Sequence, residues 1–182
     1  MSRGSGAVFF DRDGTLNWLA APGEYIRHPD QLELLPGAAV AVSRVNAVGL
    51  PAILATNQRW LSAPGGDFDA YNRIQAELAR LLAAEGARLD ACYTCPHALG
   101  VCMCRKPLPG LLLRAAKQLD LSLAHSYFIG DSVSDVEAGL AVGATTVLIT
   151  RRSASHAASL ASHVVGSLVE AVDVVLASTA VR

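Results

Sequence analysis

Val8-Phe9-Phe10-Asp11-Arg12-Asp13-Gly14-Thr15 is an apolar run that ends in two carboxylates one residue apart, followed by a glycine and a threonine. Three bulky apolar residues in succession fit a buried strand, and the acids after it fit a turn. Open parallel α/β sheets bind ligands at the carboxyl ends of their strands, so acids delivered there suggest a metal-assisted reaction centre. The two carboxylates need not do the same job. Asp11, last in the strand, can serve as in-line nucleophile and metal ligand. Asp13, on the turn, can protonate a leaving group while its backbone carbonyl or a neighbour's faces the metal. Gly14 permits an unusual backbone there. A D-x-D pair also arises by chance as a strand followed by a polar turn, so its reading depends on what the rest of the chain supplies.

Working outward, strand and helix signals alternate. Residues 17–35, broken by Pro22, Gly23 and Pro29, read as a surface loop beside the acids. A helical stripe over 38–48 closes at Gly49, and an apolar strand over 51–55 ends in Thr56-Asn57-Gln58, three hydrogen-bonding side chains together. Asp67 is a candidate N-cap for a helix over 68–85, whose Phe68, Tyr71, Ile74, Leu78 and Leu82 share a face. A strand over 91–94, a compact loop over 95–104 and a helix over 108–119 follow. Residues 127–129 form a strand ending at Gly130-Asp131, Ser132 caps a helix through 141, and 145–149 is a fifth strand. A short apolar piece at 163–165 and a helix over 167–176 close the chain. This alternation predicts an α/β fold, a doubly wound parallel sheet with helices on both faces, forming one domain over 1–182. Neither the first loop nor the cysteine loop is long enough to build a separate cap domain.

Composition narrows the function classes. With 52% hydrophobic and 17% charged residues the chain is not disordered, and 182 residues suffice for one real core. Fifteen Lys and Arg against sixteen Asp and Glu give a formal net charge of -1, so there is no electrostatic footprint for nucleic acid or an anionic membrane. No apolar run approaches a membrane span and the N-terminus leads straight into a strand, which predicts a cytoplasmic protein. Oligomeric state is left open.

Asp11-x-Asp13-Gly14-Thr15, then Thr56 after a strand, Lys106, and Gly130-Asp131-x-x-x-Asp135, in that order, resemble the four motifs of haloacid-dehalogenase-type phosphatases. Within that superfamily Asp11-Arg12-Asp13-Gly14-Thr15-Leu16-Asn17, Thr56-Asn57-Gln58 and Cys104-Arg105-Lys106-Pro107 resemble the branch of D-glycero-D-manno-heptose-1,7-bisphosphate phosphatases and histidinol-phosphatases. The resemblance implies a Rossmann-like core and a phosphomonoesterase acting on a small phosphorylated sugar. Asp11 would attack phosphorus to form an aspartyl-phosphate, and Asp13 would protonate the leaving oxygen and then activate water. Asp11, the Asp13 carbonyl and Asp131 would hold Mg2+, all hard oxygen donors. Thr56 and Lys106 would hold phosphoryl oxygens. Asp135, one helical turn beyond Asp131, would orient either Lys106 or a metal-bound water. Arg12, Asn57, Gln58, Gly23, Tyr25 and above all Arg105 would contact substrate, Arg105 by gripping a second phosphate or a sugar hydroxyl.

All four cysteines lie between Cys92 and Cys104, a clustering that in a reduced compartment favours a metal over a disulfide framework. Cys95, His97, Cys102 and Cys104 offer three thiolates and an imidazole, a closed tetrahedral set for structural Zn2+. Cys92-x-x-Cys95 is also a metal spacing, leaving a four-thiolate site without His97 as the alternative; in the favoured reading Cys92 packs as a small hydrophobe. The chain departs from many relatives after Gln58, where Ser-Gly is replaced by Arg59-Trp60, and Trp60 either stacks on a ring or covers apolar surface. Histidinol phosphate is the runner-up substrate. Outside this class stand a signalling receiver that accepts and keeps a phosphoryl group, and a catalytically quiet binding protein on the same scaffold.

Overall fold

The side chains of the first strand sort the core into two layers. In the computed structural model, which describes residues 4–150 and 156–179, Val8–Phe10 is fully buried on both faces. Val8 and Phe10 join one apolar cluster and Phe9 another, as the two-residue period of a strand requires. This β1 (Val8–Phe10) lies inside a six-stranded sheet with β2 (Ala52–Asn57), β3 (Ala91–Cys95), β4 (Tyr127–Gly130), β5 (Thr145–Ile149) and β6 (His163–Val165). The order is β3-β2-β1-β4-β5-β6 and every pairing is parallel.

One face carries α1 (Ala38–Ala47), α2 (Phe68–Ala83) and α6 (Leu168–Thr179), whose Val42, Val45, Ile74, Leu78 and Val172 pack with Val8, Phe10, Leu54 and Ile129. On the other, α3 (Gly110–Leu119) and α4 (Val133–Leu140) bring Leu111, Leu112, Ala115 and Ala138 against Phe9, Ile53 and Phe128. A short α5 (His156–Leu160) completes that face, with Ala157 against Val136 and Leu148. The predicted doubly wound parallel sheet is therefore present. No described helix is long and apolar enough to cross a membrane.

Chain direction across the sheet reverses between β1 and β4, which are hydrogen-bonded neighbours. Such a switch point opens a crevice at the carboxyl ends of its strands, and Asp11 and Asp131 are the residues that follow those two strands. Around this rim, among the described residues, neither 11–37 nor 96–109 contains an α-helix or a strand of the sheet. The first of these segments folds back on itself: Trp18 N–H donates to the Glu33 carbonyl and Leu35 N–H to that of Leu16, each at 2.9 Å.

Differences from the sequence reading are local. β2 runs on through Thr56 and Asn57, which pair with Thr94 and Cys95 of β3. α3 starts at Gly110 because 105–108 close a turn, Leu108 N–H to the Arg105 carbonyl, and Pro109 takes the N-cap position. α5 has no counterpart among the expected elements.

Candidate active site and metal-binding loop

Lys106 gathers the site. It is 3% exposed, and its Nζ lies 2.7 Å from Asp11 Oδ1, 2.6 Å from Asp135 Oδ1 and 2.8 Å from the Ala55 carbonyl. Residues from the end of β1, the loop after β3, the first turn of α4 and the body of β2 thus meet at one ammonium. Burial pulls the lysine's pKa down, but the Asp11 and Asp135 carboxylates outweigh it and the net shift is upward. Asp135 turns its other oxygen back to the Ser132 N–H at 3.1 Å and the Ser132 hydroxyl at 2.6 Å. Of the two partners expected for Asp135, the structure supplies Lys106.

Asp11, Asp131 and Asp135 present carboxylate oxygens that all lie within 4.8 Å of one another. Burial, reinforced by the neighbouring acids and opposed by Lys106, pushes Asp11 up to about 7. Burial and the Asp135 charge push Asp131 up to about 6. Three acids against one ammonium leave uncompensated negative charge, which a bound cation would relieve. Two glycines make the crowding possible. Gly14 has φ +88°, and a Cβ on it would run into the Asp131 carboxylate. A Cβ on Gly130 would meet the Asp135 side chain. The chemistry of the donors, all oxygen, fits a hard divalent ion.

Asp13 faces elsewhere. Its carboxylate accepts from Arg12 Nε and Nη2 at 3.0–3.1 Å, from Asn17 Nδ2 at 2.9 Å and from Gln58 Nε2 at 2.8 Å. Gln58 Nε2 also donates to Thr56 Oγ1 at 2.9 Å. Arg12, Gln58 and Asn57, expected to contact substrate, make hydrogen bonds to the site's own groups. Arg12 and Gln58 are 0% exposed and both donate to Asp13, while Arg12 Nη1 is buried with no described acceptor. Asn57 spends its amide on the Lys106 backbone, donating to the carbonyl at 3.0 Å and accepting from the N–H at 3.1 Å. These three residues build the site from beneath. Trp60, for which the sequence offered two roles, is 1% exposed and takes the covering one, with its indole N–H donating to Gln58 Oε1 at 2.9 Å.

Around the rim, Tyr25 Oη accepts from Arg59 Nε at 2.9 Å, linking the first loop to the turn after β2. Gly23 is exposed, with φ +85°. Neither contacts the acid cluster. Arg105 is half-buried, with a buried Nη1 that no described residue accepts from. Beside Asp131 lies a cleft of about 720 Å³ lined by Gly14, Thr15, Trp18, Leu19, Ile149 and Leu168, among others. Of the three clustered acids it reaches only Asp131, so the site is defined by the side-chain cluster and the cleft adjoins it.

At the end of β3 and in the loop after it, Cys95, His97, Cys102 and Cys104 converge. The sulfur–sulfur distances are 3.6 Å for Cys95–Cys102 and 3.5 Å for Cys102–Cys104. His97 Nδ1 lies 3.7 Å from Cys95 Sγ and 3.2 Å from Cys104 Sγ. A tetrahedral zinc with bonds of ~2.3 Å to sulfur and ~2.0 Å to nitrogen requires edges of ~3.8 and ~3.5 Å, close to these values. Burial pushes the Cys104 thiol up to about 12. At Cys102 the N–H groups of Arg105 and Cys104 overcome burial and bring the thiol down to about 7. Cys92 stands apart. Rather than packing as a buried hydrophobe it is exposed, 3.3 Å from Gln75 Nε2 and beside Tyr71 and Thr94.

Comparison with known proteins agrees with this geometry. Residues 103–171 match the family model of HAD-hydrolase-like proteins. The chain is 34% identical over 143 residues to a D-glycero-beta-D-manno-heptose-1,7-bisphosphate 7-phosphatase of Bordetella bronchiseptica, covering 78% of this chain and 79% of that protein. It is 34% identical over 168 residues to the D-glycero-alpha-D-manno-heptose-1,7-bisphosphate 7-phosphatase of Burkholderia mallei, covering 87% of each. Among solved structures, a D,D-heptose 1,7-bisphosphate phosphatase from B. bronchiseptica, complexed with magnesium and phosphate, superposes with a TM-score of 0.84 at 28% identity, over 95% of this chain and 99% of that one.

Proposed function

The chain belongs to the haloacid-dehalogenase-like hydrolases, among the heptose-1,7-bisphosphate 7-phosphatases, and from that premise we propose that it removes the 7-phosphate of D-glycero-D-manno-heptose 1,7-bisphosphate. The protein is a phosphatase. The observation that carries the reading is the convergence of Asp11 and Asp135 on Lys106 at the β1/β4 switch point, with an Asp131 oxygen within 4.8 Å of both acids.

Phosphoryl transfer asks for a nucleophile in line, charge neutralisation and a proton for the departing alkoxide. Asp11 attacks phosphorus, the P–O bond to the sugar breaks and an aspartyl-phosphate forms on Asp11. Asp13 gives its proton to the sugar oxygen, then takes one from the water that cleaves the aspartyl-phosphate and releases inorganic phosphate. Lys106 offsets charge on Asp11 and the phosphoryl oxygens, held in place by Asp135 and by Asn57 through its backbone. Asp11, Asp131 and the Asp13 carbonyl would hold Mg2+, which supplies charge neutralisation that one lysine cannot provide. Cys95, His97, Cys102 and Cys104 would hold Zn2+ in a closed set, fixing the loop that presents Arg105 and Lys106. Arg105 is the residue assigned to the substrate's second anionic or hydroxyl group. A single domain carries all these residues.

A receiver that merely keeps a phosphoryl group is disfavoured by Asp13, whose place two residues after the nucleophile suits hydrolysis. Phosphate release with Mg2+ from both anomers of the heptose bisphosphate and from histidinol phosphate tests the proposal. Turnover of a heptose anomer at the highest kcat/KM is the expected result. Preference for histidinol phosphate overturns the substrate assignment, and a long-lived acyl phosphate without turnover overturns hydrolysis.

A further inference from the structure

We infer that Trp60 and Gln58 form a relay that orients the acid–base residue Asp13 and the hydroxyl of Thr56, making Trp60 a positioning residue for catalysis. The inference rests on the reading of Asp13 as the proton donor. An indole N–H can only donate, and that of Trp60, buried, donates to Gln58 Oε1 at 2.9 Å. This decides which way the Gln58 amide faces. Reversed, its NH2 would oppose the indole N–H and its oxygen would oppose the Asp13 carboxylate. As it stands, both Nε2 protons are used, one on Asp13 Oδ2 at 2.8 Å and one on Thr56 Oγ1 at 2.9 Å. Thr56 therefore accepts from beneath, and no described residue takes its own hydroxyl proton, which is left to donate to a phosphoryl oxygen. Arg27, 5.5 Å over the Trp60 ring, holds the indole from the first loop.

Trp60→Phe keeps the apolar ring and deletes the N–H. The parameter to follow is kcat/KM, which reports phosphoryl transfer to Asp11, the step in which an alkoxide needs a proton and a nitrophenolate does not. The expected result is a loss of about tenfold on heptose bisphosphate and less than about threefold on p-nitrophenyl phosphate, on the scale of one misplaced hydrogen bond. Gln58→Glu, which keeps the Trp60 contact but has no NH2 to donate, should lose kcat/KM on both substrates through Thr56 and by a clearly larger factor on heptose bisphosphate through Asp13. Asp13→Asn is the reference. If Asp13→Asn loses both substrates equally, the acid assignment falls and this inference with it. If Asp13→Asn is selective while Trp60→Phe and Gln58→Glu lose both substrates equally or neither, the relay alone is overturned.

Discussion

At the scale of single residues, the site works by bringing carboxylates closer than they would choose to be. Asp11 and Lys106 are within 2.7 Å, so Asp11→Asn keeps nearly the same shape while removing the nucleophile. Phosphate release should vanish, with far-UV circular dichroism unchanged. Gly14→Ala adds a Cβ where the Asp131 carboxylate packs and imposes a side chain on a backbone at φ +88°. The expected cost is about 1–3 kcal/mol of stability, together with a higher Mg2+ concentration for half-maximal activity. Asp11, Asp13, Gly14, Lys106 and Asp131 were legible because each residue's type and chain order restrict what it can do at a strand end. The hydrogen bonds that Arg12, Asn57 and Gln58 make within the site were not legible, because composition at a strand end does not say which way a side chain turns. The alternation of β2 and the donor hunger of Asp13 decide that, and only three-dimensional packing displays them.

At the scale of elements, the cysteine loop and α2 make opposite predictions. The loop has little apolar packing of its own at its tip, where Leu99, Val101 and Met103 are each more than 60% exposed, so a metal held by its four side chains would supply the order that packing does not. Cys95→Ser and His97→Ala should lose stoichiometric zinc and, because Lys106 follows the loop directly, most of the activity. Cys92→Ser should keep both, as metal analysis of the purified variants would show. By contrast α2 carries a cap remote from the chemistry: Asp67 Oδ1 accepts from the Ala70 N–H at 2.9 Å. Asp67→Ala should cost about 1 kcal/mol in denaturant melts and leave kcat unchanged. Long elements with a clear period, such as α2, could be read from the chain. α5 could not, since five residues including Ala157, Ala158 and Ser159 show no apolar stripe and gain their place from packing on Val136 and Leu148.

At the scale of the whole molecule, a chain of formal net charge -1 concentrates three acids and one lysine at the carboxyl ends of its central strands, and folding takes them largely out of water there. In the unfolded chain an aspartate titrates near 3.9, a value of about the same size for both residues concerned. Folding pushes Asp11 up to about 7 and Asp131 up to about 6, with burial the first cause in each. The folded state therefore binds protons more tightly than the unfolded one. The stability this linkage contributes is complete below about pH 4 and is lost as the pH rises through 6 and 7. Magnesium held by the same oxygens would compete with those protons and replace them at high pH. Protein dialysed free of magnesium, without a chelator so that the cysteine loop keeps its metal, is expected to melt at a lower temperature at pH 8 than at pH 5. Added Mg2+ should raise Tm more at pH 8 than at pH 5, and Asp131→Asn should flatten both dependences. A magnesium-free Tm that climbs steadily from pH 5 to pH 8 in the native chain, with the same slope in Asp131→Asn, would show that these acids are not the groups folding strains to bury.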